Sequence, residues 1–321
     1  MSSQLHQRRQ KNVNSFGVEM ANKIIVSAAN DIYYSFLLDL ISSIEDAKKS
    51  EHVAIGILDV GLTAGQREAL SARVQHIITP QWDYRFTSTP SRKFQAQTAR
   101  PHLPRYFSNY EVIMWMDADT WIQQWSAVEL FFEQAGATGL AVCQEMDRAY
   151  LNVYKLNNSR DLFYKHLWAF DPALAQRIGA LPMINSGVFA MRHDYPIWSD
   201  WNHLLASVIQ RGHFDFLTEQ TALNICVYNR LPSRPCFMPA RFNWACIHAL
   251  PMFDEKSLLY VEPSVPYDEI CIMHLTGVRT RYTTPFQIMD TCGKETLMDL
   301  SYSQWKLYRA ARQGIPGTAN H

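Results

Sequence analysis

The sequence carries no net charge and lacks the common phosphate-binding loops. Its 30 basic and 30 acidic side chains cancel, so no basic surface is available to hold a nucleic-acid backbone or an anionic membrane. Neither a G-x-G-x-x-G turn nor a G-x-x-x-x-G-K-[ST] loop occurs. Their absence argues against a dinucleotide cofactor and against a P-loop.

Long apolar runs and paired cysteine motifs are also missing. No segment approaches the roughly 20 apolar residues that span a bilayer, and residues 1–22 lack the apolar core of a secretory signal. The six cysteines show no C-x-x-C spacing, which favours buried free thiols over a disulfide framework. We therefore expect a cytoplasmic protein, with at most weak peripheral membrane contact through residues 291–321.

Apolar runs alternate with amphipathic segments from residue 23 onwards, which predicts a mainly parallel, doubly wound α/β sheet with helices on both faces. Strands are predicted at 23–28, 53–60, 74–79, 111–116, 139–143, 182–191 and 270–273. Helices are predicted up to 47 and at 64–73, 92–107, 161–178, 198–210, 218–228 and 302–312. We expect a flexible tail at 1–22, one domain at 23–290 and a helical extension at 291–321.

The fourth predicted strand ends in two carboxylates, Asp117 and Asp119. Residues two apart in an extended chain point the same way, and paired carboxylate oxygens suit Mg²⁺ or Mn²⁺. Ligands of open α/β sheets bind beyond the carboxyl ends of the strands. About one such pair is expected by chance in a chain of this length, so its meaning depends on other segments.

Four further polar segments accompany this pair: Asn30–Tyr33, Asn185–Gly187, Glu219–Gln220 and His274–Gly277. In this order the segments resemble family 8 of the retaining glycosyltransferases, which includes glycogenin and bacterial lipopolysaccharide sugar transferases. The resemblance spans residues 24–277. It implies a GT-A fold, a UDP-sugar donor, Mn²⁺ with Mg²⁺ as the alternative ion, and an acceptor glycan, peptide or small metabolite.

The resemblance makes Asp117, Asp119 and His274 the metal ligands, with Ala118 between the carboxylates in the donor site. A strand-terminating Asx turn and a structural histidine are the alternatives. In the family, the turn after the first strand wraps the uridine, which implicates the residues Ala28, Ala29, Asn30 and Tyr33. A helix cap at Asn30 or Asp31 and a core Tyr33 are the alternatives there.

The resemblance assigns catalytic roles to Gln220, Glu219 and Asn185, with Ser186 in the donor site. Gln220 would lie near the anomeric carbon, and Glu219 would orient hydroxyls of the donor sugar. A β-bulge is the alternative for Asn185, and the helix dipole alone accounts for Glu219 but not for Gln220.

At two basic positions the sequence offers several candidates for one role in the family. Lys93 resembles a basic residue near the donor sugar, with Arg92 and Arg100 as competing candidates. Gly277 begins the loop where the family carries a diphosphate-binding Lys-Pro-Trp, but this chain has Arg279 and Arg281 instead. Either guanidinium could bind phosphate.

The sequence thus predicts a metal-dependent retaining glycosyltransferase that uses a UDP-sugar. A nucleotidyltransferase on a related α/β fold is one alternative, and a catalytically silent sugar-binding protein is another. Neither a nucleic-acid partner nor a transmembrane segment is expected.

Overall fold

The computed structural model describes residues 23–47, 53–86, 90–150, 153–229, 235–276 and 285–314, without the side chains of Lys93 and of residues 153–160. Its strands are β1 Lys23–Ala29, β2 Val53–Asp59, β3 His76–Ile78, β4 Val112–Met116, β5 Thr120–Ile122, β6 Leu140–Gln144, β7 Ile184–Arg192, β8 Cys236–Met238, β9 Trp244–Ala245, β10 Met252–Asp254, β11 Leu259–Val261, β12 Ile272–His274, β13 Phe286–Met289 and β14 Glu295–Met298.

The α-helices within the same ranges are α1 Tyr34–Ala47, α2 Ala64–Ser71, α3 Gln95–Ala99, α4 Leu103–Tyr106, α5 Ser126–Thr138, α6 Val153–Phe170, α7 Pro172–Ile178, α8 Ile197–Gln210, α9 Thr218–Asn229 and α10 Tyr302–Arg312. No helix in the described ranges is both long and apolar enough to cross a membrane.

A seven-stranded sheet organises the described chain, in the order β3-β2-β1-β4-β7-β6-β8. Strand β7 is antiparallel to both of its neighbours, and the remaining pairs are parallel. After β1 the chain builds β2 and β3 on one side and then crosses to β4 on the other. This reversal creates a switch point between β1 and β4, which is where open α/β sheets bind ligands.

Both faces of the sheet are buried because neighbouring residues of each strand pack in opposite directions. Ile25 and Met114 belong to the apolar cluster that includes α1 and α5 on one face, whereas Ile24 and Trp115 belong to the cluster that includes α6, α8 and α9 on the other. This packing explains the continuous apolar runs of the central strands. The mainly parallel α/β sheet with helices on both faces is confirmed.

A third apolar cluster joins the C-terminal helix to the smaller sheets. Trp305 and Tyr302 of α10 pack on Trp121 of β5. The Tyr302 hydroxyl also donates to Asp46 Oδ2 of α1 at 2.6 Å. The C-terminal helix is therefore anchored on α1 and β5.

Two local predictions differ from the structure. The predicted helix 161–178 is two helices, because Asp171 caps the new helix through Ala173 N and Pro172 occupies its first turn. The predicted polar break in 182–191 is instead continuous strand β7. Its polar residues bulge away from β6, since Val142 pairs with Phe189 but Cys143 pairs with Asn185.

Candidate metal and sugar-nucleotide site

Polar residues converge at the carboxyl edge of the large sheet. Asn30 follows β1, Asp117 follows β4 and Glu145 follows β6. Asn185 lies at the same edge because β7 runs in the opposite direction and starts there. His274 reaches the edge as the last residue of β12, which pairs with β5 directly after Asp119. Chain topology therefore assembles this site from segments far apart in sequence.

Asp117, Asp119 and His274 form a group whose ligand atoms all lie within 4.8 Å of one another. His274 Nε2 lies 3.8 Å from Asp117 Oδ2 and 3.6 Å from Asp119 Oδ1. The imidazole is buried, while the two carboxylates keep part of their surface exposed. Two oxygen donors and one imidazole nitrogen at this spacing fit a divalent transition ion.

Gly187 leaves the room in which this group assembles. A Cβ at this position would lie 2.3 Å from His274 Cε1 and 2.8 Å from Asp117 Oδ2. The backbone of Gly187 also accepts the Asp117 N–H at 2.8 Å. The glycine therefore admits the close approach of these two side chains, a contact that sequence analysis did not anticipate.

Carboxylates outnumber cations around this edge. The four carboxylates are those of Asp117, Asp119, Glu145 and Glu219, and in the described residues their ion pairs include one guanidinium, that of Arg100. Burial lowers the pKa of His274, but the bond to Asp119 and the charge of Asp117 outweigh it and raise that pKa above its ordinary value. The site therefore attracts positive charge, as a cation site must.

Arg100 is the buried cation of the site. Its Nη1 donates to Ser186 Oγ at 2.9 Å and to Glu219 Oε2 at 2.6 Å, and its Nη2 donates to Asp117 Oδ1. The guanidinium lies over the Trp115 ring, 4.7 Å from its centroid. Burial opposes its charge, but the Asp117 and Glu219 carboxylates raise the pKa of Arg100 above its usual value. This arginine joins the metal group to the start of α9.

Glu219 is almost fully enclosed, with 1% of its surface exposed. Burial raises its pKa to about 7, although Arg100 acts in the opposite direction. Within the described part of the chain, its Oε1 has no hydrogen-bond partner. An acceptor without a partner is unfavourable at this depth, so Glu219 Oε1 still has the capacity to accept a hydrogen bond.

Gln220 and Ser186 are held by each other. Gln220 Oε1 accepts the Ser186 N–H at 3.1 Å, and its Nε2 donates to Glu145 Oε1 at 3.1 Å. His248 closes the far side of Glu145, with Nε2 3.3 Å from Oε2. The amide orientation of Gln220 is therefore fixed, because a backbone N–H can only donate.

The turn after β1 serves as a helix entry. Asn30 Oδ1 accepts the N–H groups of Ile32 and Tyr33, each at 3.1 Å, so the capping role considered for Asn30 is present. Ala28 and Ala29 are buried and end the strand. Gly61, which follows β2, lies beside Asn30, since a Cβ built on Gly61 would be 3.5 Å from Asn30 Cβ. The same position is 4.0 Å from Arg92 Nη1, so Arg92 lies near this turn.

The structure brings together most of the residues singled out in the sequence: Asn185, Ser186, Glu219 and Gln220 join Asp117, Ala118, Asp119 and His274 at one edge. Gly277, Arg279 and Arg281 lie outside the described residues, as does the side chain of Lys93. The diphosphate cation therefore stays a prediction.

Sequence analysis missed Glu145, Asn243 and His248. Glu145 carried a usable signal, because it follows an apolar strand in the same way as Asp117 does. Asn243 precedes the two-residue strand β9, and nothing in its sequence surroundings marks it.

No protein-family model and no curated protein sequence matches the chain. Among solved structures, galactosyltransferase LgtC in complex with donor and acceptor sugar analogues is similar, with a TM-score of 0.51 and 15% identity over 92% of this chain and 98% of that one. An active-site mutant of LgtC has a TM-score of 0.50 and 15% identity, covering 79% of this chain and 88% of that one.

The bifunctional glycosyltransferase WbbM in its apo form is also similar, with a TM-score of 0.50 and 12% identity over 81% of this chain and 46% of that one. At these identities the similarity shows the fold. The chain has the mixed α/β, GT-A type fold of these glycosyltransferases.

Proposed function

We propose that this protein is a metal-dependent retaining glycosyltransferase that moves a hexose from a UDP-sugar to an acceptor hydroxyl or side chain. The observation that carries the proposal is the Asp117, Asp119 and His274 group at the switch point of the sheet. The solved structures of similar fold are glycosyltransferases, and one contains donor and acceptor sugar analogues. Both observations support binding of a sugar-nucleotide at the carboxyl edge of the sheet.

Asp117, Asp119 and His274 would hold the ion. Imidazole nitrogen favours Mn²⁺ over Mg²⁺, because Mg²⁺ prefers an all-oxygen shell. When bound, the ion neutralises charge on the diphosphate as the glycosidic bond breaks, which replaces the protonated acid of a glycoside hydrolase.

The floor of the site would bind the donor sugar through groups already in place. Glu219 Oε1 is unpartnered within the described residues but has almost no exposed surface, so a sugar hydroxyl would donate to it once the side chains that cover it move aside. Arg100 fixes the other oxygen of that carboxylate. The Glu219 carboxylate is thus oriented before the sugar arrives, and we expect orientation to contribute more to the rate than covalent chemistry does.

Retention would follow from attack on the face that the diphosphate leaves. The leaving phosphate oxygen takes the acceptor proton, so no protein base is needed on that face. Gln220 Oε1 accepts the Ser186 N–H and lies 3.3 Å from the Ser186 hydroxyl. Because that hydroxyl has one proton and can donate it to Glu219 Oε2 instead, the second lone pair of Gln220 would face the positive anomeric carbon. A covalent route through Glu219 is less suited, because the carboxylate is almost fully enclosed and Arg100 and Ser186 hold its Oε2.

The test is release of UDP from a panel of UDP-glucose, UDP-galactose, UDP-GlcNAc and a GDP-sugar, with and without Mn²⁺. We expect Mn²⁺-dependent release from at least one UDP-sugar. Asp119→Ala should abolish it, and Asp194→Ala, which alters an exposed carboxylate paired with Arg192, should not. The anomeric configuration of the product, read by NMR, tests retention.

Other outcomes identify the alternative functions. Undiminished release by Asp119→Ala would refute the metal assignment. Release of pyrophosphate from nucleoside triphosphates would identify a nucleotidyltransferase. Binding of a UDP-sugar without turnover would identify a silent sugar-binding protein.

A further inference from the structure

A chain of buried hydrogen bonds leads from Glu145 to the candidate metal ligand His274. Asn185 Nδ2 donates to Glu145 Oε1 at 2.8 Å, and Asn243 Nδ2 donates to Asn185 Oδ1 at 3.0 Å. His274 Nδ1 then lies 2.8 Å from Asn243 Oδ1. All four side chains are at most 9% exposed, so bulk water cannot readily replace a missing partner.

The backbone N–H of Gly187 fixes the donor and acceptor roles along this series of hydrogen bonds, because an N–H can only donate. The Gly187 N–H points at Asn185 Oδ1 at 2.8 Å, so the atom there must be the amide oxygen. The Asn185 NH₂ therefore faces the Glu145 carboxylate, which accepts it. Asn243 in turn must present its NH₂ to Asn185 and its oxygen to His274.

The oxygen of Asn243 requires a proton on Nδ1 of His274. In the neutral imidazole the lone pair is then on Nε2, the atom that faces Asp117 Oδ2 and Asp119 Oδ1. Metal-ligating histidines are commonly oriented in this way by a hydrogen bond from the other ring nitrogen.

We propose that Asn243 is a positioning residue of the metal centre, whose amide oxygen holds His274 in the Nδ1–H tautomer so that Nε2 can bind a divalent ion such as Mn²⁺. This inference rests on the proposed function. Asn243 does not approach the ion itself; it acts through His274, and Glu145 and Asn185 set its orientation.

The backbone around Asn243 supports the same role. Its N–H donates to Ala240 O at 2.8 Å, which closes a short helical turn. The next two residues form β9, which pairs in parallel with β12, so that Ala245 lies beside His274. Asn243 therefore lies between this helical turn and the strand that flanks the histidine, and its position does not depend on a surface loop.

The first experiment measures the affinity of the full chain for Mn²⁺ by electron paramagnetic resonance, without nucleotide. Asn243→Leu keeps a similar volume but removes the acceptor, and we expect Mn²⁺ to bind roughly 10- to 100-fold more weakly. Asn243→Asp restores an acceptor for Nδ1 but loses the donor to Asn185 Oδ1, so its affinity should lie between those of Asn243→Leu and wild type.

Gln123→Leu is the matched control. It removes another buried side-chain amide, which bonds to the backbone of Tyr260 and Ile270, away from the metal group. It should lower thermal stability and leave Mn²⁺ affinity unchanged. Equal affinity of Asn243→Leu and wild type would overturn the inference, and so would a loss in Gln123→Leu as large as that in Asn243→Leu.

A second measurement needs no folded Asn243 variant. Long-range ¹H–¹⁵N NMR of the metal-free wild type at pH 9 distinguishes the two imidazole tautomers, with the His274 signal assigned by its loss in His274→Asn. We expect protonated Nδ1, and protonated Nε2 would contradict the inference alone. A wild-type protein that binds no Mn²⁺ would overturn the proposed function together with this inference.

Discussion

The two halves of the polar site handle negative charge in different ways. On one side, Arg100 lies between Asp117 and Glu219 and neutralises them with a guanidinium of the chain itself. On the other side, Asp119 faces His274, and the carboxylates raise the pKa of that imidazole. In the first half the carboxylates already have a cationic partner from the protein. In the second half the negative charge is neutralised only when a cation binds.

The difference explains how one site can be both rigid and receptive. A buried ion pair contributes little net stability, but removal of one partner leaves a charge that has lost its solvent and its counterion. The Arg100 half therefore fixes Asp117 in place. Asp119 and His274 complete the metal group from a different sheet, the one formed by β5, β12 and β9.

The largest expected effect is on the Arg100 half. Arg100→Met should reduce the free energy of unfolding by about 3–5 kcal/mol, because it leaves Asp117 and Glu219 without their shared cation. Urea unfolding measures this loss. The matched control is Arg73→Met, whose partner Glu45 is substantially exposed, and we expect a loss under about 1 kcal/mol. Similar losses of unfolding free energy in the two variants would show that the buried Arg100 pairs matter no more than an exposed ion pair.

A glycine substitution tests the receptive half. Gly187→Ala should weaken Mn²⁺ binding at least tenfold and reduce stability by about 1–3 kcal/mol, because its Cβ would overlap His274 Cε1 and crowd Asp117 Oδ2. Isothermal titration and urea unfolding measure the two effects.

Gly136→Ala in α5 is the control, since a Cβ there meets no atom within 4 Å. It should stabilise the protein by about 0.5–1 kcal/mol and leave Mn²⁺ binding unchanged. Unchanged Mn²⁺ affinity in Gly187→Ala would show that the close packing around His274 is dispensable.

The smallest effect concerns a third way to handle a buried carboxylate, which is protonation. Burial raises the pKa of Asp39 in α1 to about 6, and its hydrogen bonds come from the uncharged Ser303 side chain and from the backbone of Ser303 and Tyr302. An unfolded Asp has a pKa of about 3.9. The folded protein therefore binds the proton more tightly, and its stability should fall as the pH rises from about 4 to 6.

Asp39→Asn removes this loss. The variant should be more stable than wild type above pH 6, by about 1–2 kcal/mol, and the difference should disappear near pH 4. Thermal unfolding across that range measures the difference. A constant difference between the two proteins at all pH values would show that Asp39 does not titrate in this way.

The same pattern predicted the sheet and the carboxylate pair at its edge, whereas His274 was assigned as the third ligand by the family resemblance. The ends of buried strands are marked by an abrupt change from apolar to polar residues, as at Asp117 and His274, and the alternation of strands and helices indicates which edge these ends share. The sequence pattern does not show the direction in which a strand runs in the sheet. Periodicity is the same for parallel and antiparallel strands, so the reversal of β7 was not predicted.

The supporting residues could not be predicted in the same way. Asn243 meets His274 only because β9 pairs with β12, and a pairing between two such short strands leaves no pattern in the sequence. Arg100 was one of three basic candidates, and only the fold shows that its guanidinium reaches Asp117 and Glu219.

The most direct test of the metal group is an anomalous difference map from crystals soaked in Mn²⁺ and UDP, with data collected at the manganese edge. The account predicts a peak bounded by Asp117, Asp119 and His274 Nε2. A peak at any other position, or none in crystals that contain bound UDP, would contradict it.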